Sequence, residues 1–149
     1  MKATTSPLEF IEFFIIQSQF KFDEPKANIN INKLFKSYEI DIDFDFNQIE
    51  DDQLMVYVKA GINNTDKHKA GYVVFTEGVA IFNIKNLTEL NENDKNNLIF
   101  YSSLSIAINN LRNYISNLTM NSPLGKYNLP AIDMNDLHLQ KKNELDQTA

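Results

Sequence analysis

The sequence predicts an α+β domain in which a four-stranded antiparallel sheet, a meander, is followed by a long helix and a short C-terminal helix. Between Tyr38 and Phe46, apolar or aromatic residues alternate with acidic residues, which is the two-residue period of a half-buried strand. Short polar segments separate this strand from two further apolar segments, as between antiparallel strands. After residue 90 the apolar residues recur at spacings of three and four, which is the period of a helix. Strands followed by helices are typical of the α+β class.

The first predicted element is a long, bent strand over residues 8 to 22, which is rich in apolar and aromatic side chains. Pro25 ends it, because proline has no N–H to donate to a neighbouring strand. Residues 26 to 37 are then predicted to form a connector that contains Leu34 and Phe35. In this interpretation Phe35 lies outside any regular element.

The second strand is predicted to bury its apolar face and expose its acidic face. A slip of one residue would bury three carboxylates, each at a cost of several kcal/mol, roughly 2–7. The inward residues are Ile40, Ile42 and Phe44, and the outward residues are Asp41, Asp43 and Asp45. The remaining elements are a polar turn at 47–53, a strand at 54–62, a second polar turn at 63–69 and a strand at 72–84.

Two helices follow the strands. Asn91 or Asn93 can cap the long helix, whose apolar stripe follows the three-and-four spacing. The stripe consists of Leu104, Ile108, Leu111, Ile115 and Leu118. Pro123, Gly125 and Pro130 predict a loop, after which Asp133 or Asn135 can cap a last helix that runs through Lys142. We expect one domain over residues 1–149, with short flexible ends at about 1–7 and 143–149.

Charge and composition exclude several classes of function. The net charge is -6 and the isoelectric point is about 4.8, which argues against nucleic acid as a partner because phosphates would be repelled. No cysteine is present, so no disulfide framework is expected. Glu9 and Glu12 interrupt the apolar N-terminal segment, so we expect no signal peptide, no stable membrane insertion and a cytoplasmic location. Sequons at Asn63, Asn86 and Asn117 are expected by chance in so asparagine-rich a chain.

The sequence contains few of the residues and motifs that are common in active sites and metal sites. His68 and His138 have no second histidine or carboxylate at metal-ligand spacing, so we expect two solvated side chains. No nucleophile elbow and no glycine-rich phosphate loop is present among only four glycines. We therefore expect no catalytic residues, no metal and no cofactor, and a protein that is not an enzyme. The more informative residues are 11 Phe and six Tyr. One sheet and one helix cannot cover them all, so an oligomer interface or a binding groove must take the rest.

Several segments, in order along the chain, resemble the SecB family of export chaperones. Arg112 to Leu118 resembles the end of that family's long helix. The other segments are Phe22-Asp23-Glu24-Pro25, Glu39-Ile40-Asp41-Ile42-Asp43, Gly78-Val79-Ala80-Ile81-Phe82-Asn83-Ile84, and Leu129-Pro130-Ala131-Ile132-Asp133-Met134 with Leu137. The resemblance covers roughly residues 10 to 140. It implies a homotetramer, a dimer of dimers, that holds unfolded preproteins in apolar grooves without ATP and delivers them to the SecA motor.

The resemblance also implies roles for particular residues. Client-binding positions of the family fall on Phe35, Tyr72, Val74 and Thr76. SecA-facing positions fall on Gln19, Asp23, Val73 and Phe75, of which Gln19 and Phe75 replace residues that are usually acidic in the family. An alternative is therefore a solitary SecB-like chaperone dedicated to one client, such as the antitoxin of a toxin-antitoxin pair, without SecA. An enzyme and an oligomeric scaffold without a client remain as further alternatives. For a holdase, Phe35→Ala is expected to leave stability nearly unchanged and to weaken client binding. The alternative is that Phe35 holds the connector against the sheet, in which case the substitution would cost about 3–5 kcal/mol.

Overall fold

A computed structural model describes residues 1–26, 28–50 and 52–149. The strands are β1 (Leu8–Asp23), β2 (Ile40–Glu50), β3 (Gln53–Ile62) and β4 (Gly71–Ile84), and the helices are α1 (Ile31–Lys36), α2 (Glu92–Asn96), α3 (Ser103–Thr119) and α4 (Met134–Thr148). A π-helical segment, Asn97–Ser102, joins α2 to α3 without a break, and a 3₁₀ turn occupies Leu87–Glu89. No helix in the described part of the chain is long and apolar enough to span a membrane.

The four strands form one antiparallel sheet in the order β1-β4-β3-β2, so the predicted α+β fold class is confirmed. Strands β2, β3 and β4 form the meander, whereas β1 pairs with β4. The segment between β1 and β2 therefore carries the chain from one edge of the sheet to the other. Two irregularities interrupt the pairing of β1, between Phe10 and Glu12 and between Ile15 and Gln17. Bulges of this kind bend a strand, as predicted for this segment.

Three element boundaries differ from the prediction. The connector contains α1, which Asn30 caps by accepting from the N–H of Lys33, so Phe35 lies within a helix. The predicted turn at 47–53 is shorter, because β2 continues to Glu50 at the sheet edge, where polar side chains remain exposed. The last helix runs to Thr148 rather than Lys142, so the end expected to be flexible from 143 is largely helical. No glycine or proline interrupts it.

The core lies between α3 and the inner face of β3 and β4. Four residues of the predicted stripe are buried, and Leu118 is half-buried. The faces of β2 are as predicted at Phe44, which is buried, and at Asp41 and Asp45, which are exposed, while Ile40 and Ile42 are half-buried. Asp43 was predicted to be exposed but is half-buried, because Lys141 packs against its carboxylate. Asn91 caps α2, because its side chain accepts from the N–H of Asp94. Asp133 caps α4, because its side chain accepts from the N–H groups of Asn135 and Asp136.

Helix α4 lies against β2 and the π-helical segment. The Nζ of Lys141 lies 2.7 Å from Oδ1 of Asp43, and Nε2 of His138 lies 2.8 Å from the carbonyl oxygen of Phe100. Burial alone would raise the pKa of Asp43, but hydrogen bonds from Lys141 and from the N–H of Phe44 outweigh it, so the pKa is lowered. The hydrogen bond to Asp43 in turn raises the pKa of Lys141.

The Asp43–Lys141 pair predicts a pH-dependent contribution to stability. Because the pKa of Asp43 is lower in the folded state, the contribution is present above the unfolded pKa of about 3.9 and is lost as pH falls through the folded pKa. The pair is partly exposed, so we expect less than about 1 kcal/mol. Unfolding free energies of wild type and Lys141→Met should differ at neutral pH and converge on acidification from about pH 5 to 2. A difference that stays constant over that range would contradict the assignment.

Candidate functional site

A cluster of four aromatic rings joins the connector, the sheet and the loop after α3. Phe35 contacts Tyr38, Tyr72 and Tyr127 with ring centroids 5.7, 5.5 and 5.2 Å apart, and Tyr38 lies 5.9 Å from Tyr127. The three tyrosines are buried, whereas Phe35 is half-buried. We call these four residues the aromatic cluster. Through the ring contacts of Phe35, the aromatic cluster packs α1 against the end of the sheet.

Hydrogen bonds from two of the tyrosines fix the backbone around the cluster. The hydroxyl of Tyr38 donates to the carbonyl of Ala70 at 3.1 Å and accepts from the N–H of Tyr72 at 2.9 Å. The hydroxyl of Tyr72 donates to the carbonyl of Gly125 and accepts from the N–H of Leu124, both at 2.8 Å. These bonds hold the loop after α3 against β4.

The three tyrosines of the aromatic cluster stay protonated at neutral pH. Burial raises the pKa of Tyr38 and of Tyr72, and it raises the pKa of Tyr127 to about 12. Each ring is therefore neutral, and the two bonded hydroxyls keep their protons for donation. The cluster forms a fixed apolar support rather than an acid–base site.

An open apolar groove lies beside the aromatic cluster, between the end of β1, the connector and the loop after α3. Its volume is about 550 Å³. Apolar side chains form most of its lining, and Glu24, Lys26 and Asn28 complete it. We call it the connector groove, and its apolar residues are Phe22, Pro25, Ile29, Ile31, Pro123 and Leu124.

The connector groove is both accessible and firmly supported. Ile29 is 41% exposed and Ile31 is 39% exposed, which is high for side chains of this size. The ring of Phe22 packs 6.1 Å from the ring of Tyr72, whose hydroxyl bonds the N–H of Leu124. The floor of the groove is therefore tied to the core, while its aliphatic rim faces solvent.

A second apolar surface follows the free edge of β1. Phe10, Ile11, Phe14 and Ile16 are each between 41% and 54% exposed. Ile11 and Ile16 sit at the two bulges. We call these four residues the β1 edge patch. Exposed strand edges with apolar side chains favour association with another chain.

Three of the four predicted client-binding residues are in the core. Tyr72, Val74 and Thr76 are at most 1% exposed, so their positions do not support the client-binding role expected of them. The reason is that β4 is a central strand and α3 covers the face on which these residues lie. The Oγ1 of Thr76 is buried without a hydrogen-bond partner among the described residues. Phe35 also supports the fold, through its three ring contacts.

The four residues expected to face SecA come together on the outer face of the sheet. Gln19 pairs directly with Phe75 across β1 and β4, and both line a shallow concavity with Val73. Asp23 lies beside it, with Oδ2 2.6 Å from Nε2 of His68. His68 is therefore paired rather than simply solvated, because the fold brings Asp23 close from 45 residues away. Asp23 is the one acid among the four.

Phe35→Ala is expected to lower the free energy of unfolding by about 2–3 kcal/mol. Truncation of a fully buried Phe costs about 3–5 kcal/mol, and Phe35 keeps part of its ring in solvent. This replaces the expectation from sequence that stability would hardly change. Urea denaturation measures the loss, and Lys36→Ala, which is exposed in the same helix, should change stability by less than about 0.5 kcal/mol. Equal, small losses for both variants would show that the cluster does not hold α1.

No protein-family model and no curated protein matches this chain. In three dimensions it is similar to the Mycobacterium tuberculosis SecB-like chaperone Rv1957, solved in complex with a ChAD peptide from the HigA1 antitoxin Rv1956. The TM-score is 0.56 at 11% identity, over 84% of this chain and 90% of that chain. A Streptococcus agalactiae protein of unknown function gives a TM-score of 0.45 at 8% identity, over 86% and 100% of the chains, which is too low to support an argument.

The chain therefore has a divergent SecB-like fold, as the resemblance in sequence predicted. The order of elements, with one long strand, a connector, a three-strand meander, a long helix and a last helix, is the order on which that prediction rested.

Proposed function

We propose that this protein is an ATP-independent holdase chaperone that binds unfolded polypeptide at apolar surfaces in the cytoplasm. The observation that carries the proposal is the connector groove, which presents exposed Ile29 and Ile31 beside a floor supported by the aromatic cluster. Unfolded chains expose apolar side chains that are buried in their folded state, and such a groove accepts these without reading a strict sequence.

The lining of the groove favours binding over chemistry. Its six apolar residues offer area and no directional polar contacts, while Glu24 and Lys26 provide one charge of each sign. Binding of this kind selects for apolarity and leaves the order of side chains open. The described residues contain no group of three His, Cys, Asp or Glu side chains placed to hold a metal ion. The glycine-rich loop that cradles phosphates is also missing from the sequence, which supports holding without nucleotide.

We propose that the protein assembles as a homotetramer. The β1 edge patch supports this, because it combines a free strand edge with four exposed apolar side chains. Symmetric association of copies is the usual way to cover such a surface. Light scattering at micromolar concentration should give a mass near four chains, and a monomer would contradict the proposal.

A second candidate is a chaperone dedicated to one client, for instance an antitoxin. Two observations favour it over general export. The structural relative Rv1957 is bound to a peptide from an antitoxin. In this chain Gln19 and Phe75 occupy positions that are usually acidic in the SecB family, which weakens the case for delivery to SecA. Affinities for several unrelated unfolded proteins separate the candidates, because a general holdase binds them similarly and a dedicated one does not.

The test of holding is suppression of aggregation of an unfolded protein without nucleotide. Ile29→Ser/Ile31→Ser should weaken client binding by about tenfold, the effect of losing a small binding hot spot. The matched control is Leu139→Ser/Leu145→Ser, which removes two apolar side chains that are more exposed than Ile29 and Ile31 but lie on α4. Wild type and control should suppress aggregation alike. No suppression by wild type would refute the function, whereas equal loss in both variants would refute the groove.

A further inference from the structure

The two edges of the sheet differ in how their backbone is protected. β1 and β2 are the edge strands, and each has a row of backbone groups that no neighbouring strand binds. At the first residue of β1, the N–H of Leu8 donates to Oγ of Ser6 at 3.1 Å, and no other N–H group of that strand has a side-chain acceptor among the described residues. The situation in β2 is different and involves its acidic face.

Two aspartates of β2 bind the N–H groups of the residues that follow them. Oδ1 of Asp43 accepts from the N–H of Phe44 at 2.8 Å, and Oδ1 of Asp45 accepts from the N–H of Phe46 at 3.1 Å. The two N–H groups are two residues apart, which is the spacing of the N–H groups that point away from an edge strand's single neighbour. Both are thus occupied and are not free to pair with another strand.

Helix α4 strengthens this protection at Asp43. The Nζ of Lys141 lies 2.7 Å from Oδ1 of Asp43 and 5.7 Å from the centre of the Phe44 ring. Lys59 of β3 holds the other oxygen, Oδ2, at 3.3 Å. The Asp43 carboxylate therefore has a fixed position. Asp45 forms no direct ion pair among the described residues and interacts with Lys141 only through its charge, so its bond to the backbone has less support than that of Asp43.

We propose that Asp43 and Asp45 close the free edge of β2 against pairing with the β2 strand of a second copy of this chain. They do so by occupying the outward N–H groups of Phe44 and Phe46. Association through strand edges is thereby directed away from β2, and the edge of β1 stays open. This inference does not depend on the protein being a holdase.

The decisive comparison uses three single substitutions. Asp45→Val removes the charge and the acceptor, Asp45→Asn removes the charge but keeps an acceptor oxygen, and Asp41→Val removes a charge from the same face. Asp41 makes no hydrogen bond to backbone among the described residues. In sedimentation velocity we expect Asp45→Val to form species larger than wild type, with association tightened by about tenfold. Asp45→Asn and Asp41→Val should sediment as wild type.

Two outcomes overturn the proposal. If Asp45→Val sediments like Asp41→Val, the edge is not held closed by this hydrogen bond. If Asp45→Asn associates like Asp45→Val, the charge of Asp45, and not its hydrogen bond, prevents association through β2. Circular dichroism checks that each variant folds. Hydrogen exchange on wild type provides a measurement that needs no variant: the amides of Phe44 and Phe46 should exchange about tenfold more slowly than that of Ile42. Equal rates would also overturn it.

Discussion

Gly71→Ala is expected to lower the free energy of unfolding by about 3 kcal/mol or more. Gly71 has a φ of +97°, which costs an L-residue about 1–2 kcal/mol. An added Cβ would also lie 2.1 Å from the hydroxyl oxygen of Tyr38. That oxygen cannot move away without losing its bonds to Ala70 and to the N–H of Tyr72, at about 1 kcal/mol each.

The matched control for Gly71→Ala is Gly125→Ala. Gly125 has a φ of +78°, and an added Cβ would meet no atom within 4 Å. Its substitution carries the backbone strain alone, so we expect a loss of about 1 kcal/mol. Urea unfolding of both variants measures the difference. Equal losses would mean that the Tyr38 hydroxyl does not hold the start of β4 against the connector.

Asn63→Asp is expected to destabilise the protein by about 3 kcal/mol or more at neutral pH. Asn63 has a φ of 53° and is 3% exposed, directly after β3. Its Nδ2 donates to the carbonyls of Lys69 and Tyr72, and its Oδ1 accepts from the N–H of Lys69, all at 2.8 Å. A carboxylate would present an acceptor to two buried carbonyl oxygens, and each lost bond costs about 1–3 kcal/mol.

The loss in Asn63→Asp should depend on pH in a defined direction. Burial beside two carbonyls raises the pKa of the new carboxyl above its unfolded value of about 3.9. The deficit relative to wild type is therefore greatest above the folded pKa and decreases as pH falls, because the protonated acid donates one bond. Asn64→Asp, in the exposed neighbouring position, should change stability by less than about 0.5 kcal/mol. A small loss at Asn63, similar to that at Asn64, would contradict its role in closing the loop.

The four strands, the long helix and the inward face of β2 could be predicted because their signals are local. The alternation from Ile40 to Phe44 separates an apolar from an acidic face, and the spacing from Leu104 to Ile115 defines the helix stripe. The role of Asn63 was missed, since in sequence it is one asparagine among many. Its signal was its place at a strand end, where asparagine accepts the left-handed conformation better than most residues.

The functional surface was harder to predict because its residues come from separate segments. The resemblance to the SecB family placed client-binding positions on Tyr72, Val74 and Thr76, but the sequence could not show that this face of β4 is covered. The groove is formed by Phe22, the connector, Pro123 and Leu124. Tyr72 links two of these parts, because its hydroxyl accepts from the N–H of Leu124 and its ring packs against Phe22. The available signal was Ile29 and Ile31, two apolar residues among the polar residues of 28–33.

Site-specific photo-crosslinking tests the central claim, that the connector groove holds unfolded polypeptide, most directly. A photoreactive amino acid is placed at Ile29, in the groove, or at Leu139, which is more exposed but lies on α4. Each variant is irradiated with an unfolded client and then with the same client folded, both without nucleotide. The groove position should crosslink to the unfolded client alone, and the Leu139 position should give little product with either. Equal crosslinking from both positions, or none from Ile29 while the client is bound, would contradict the account.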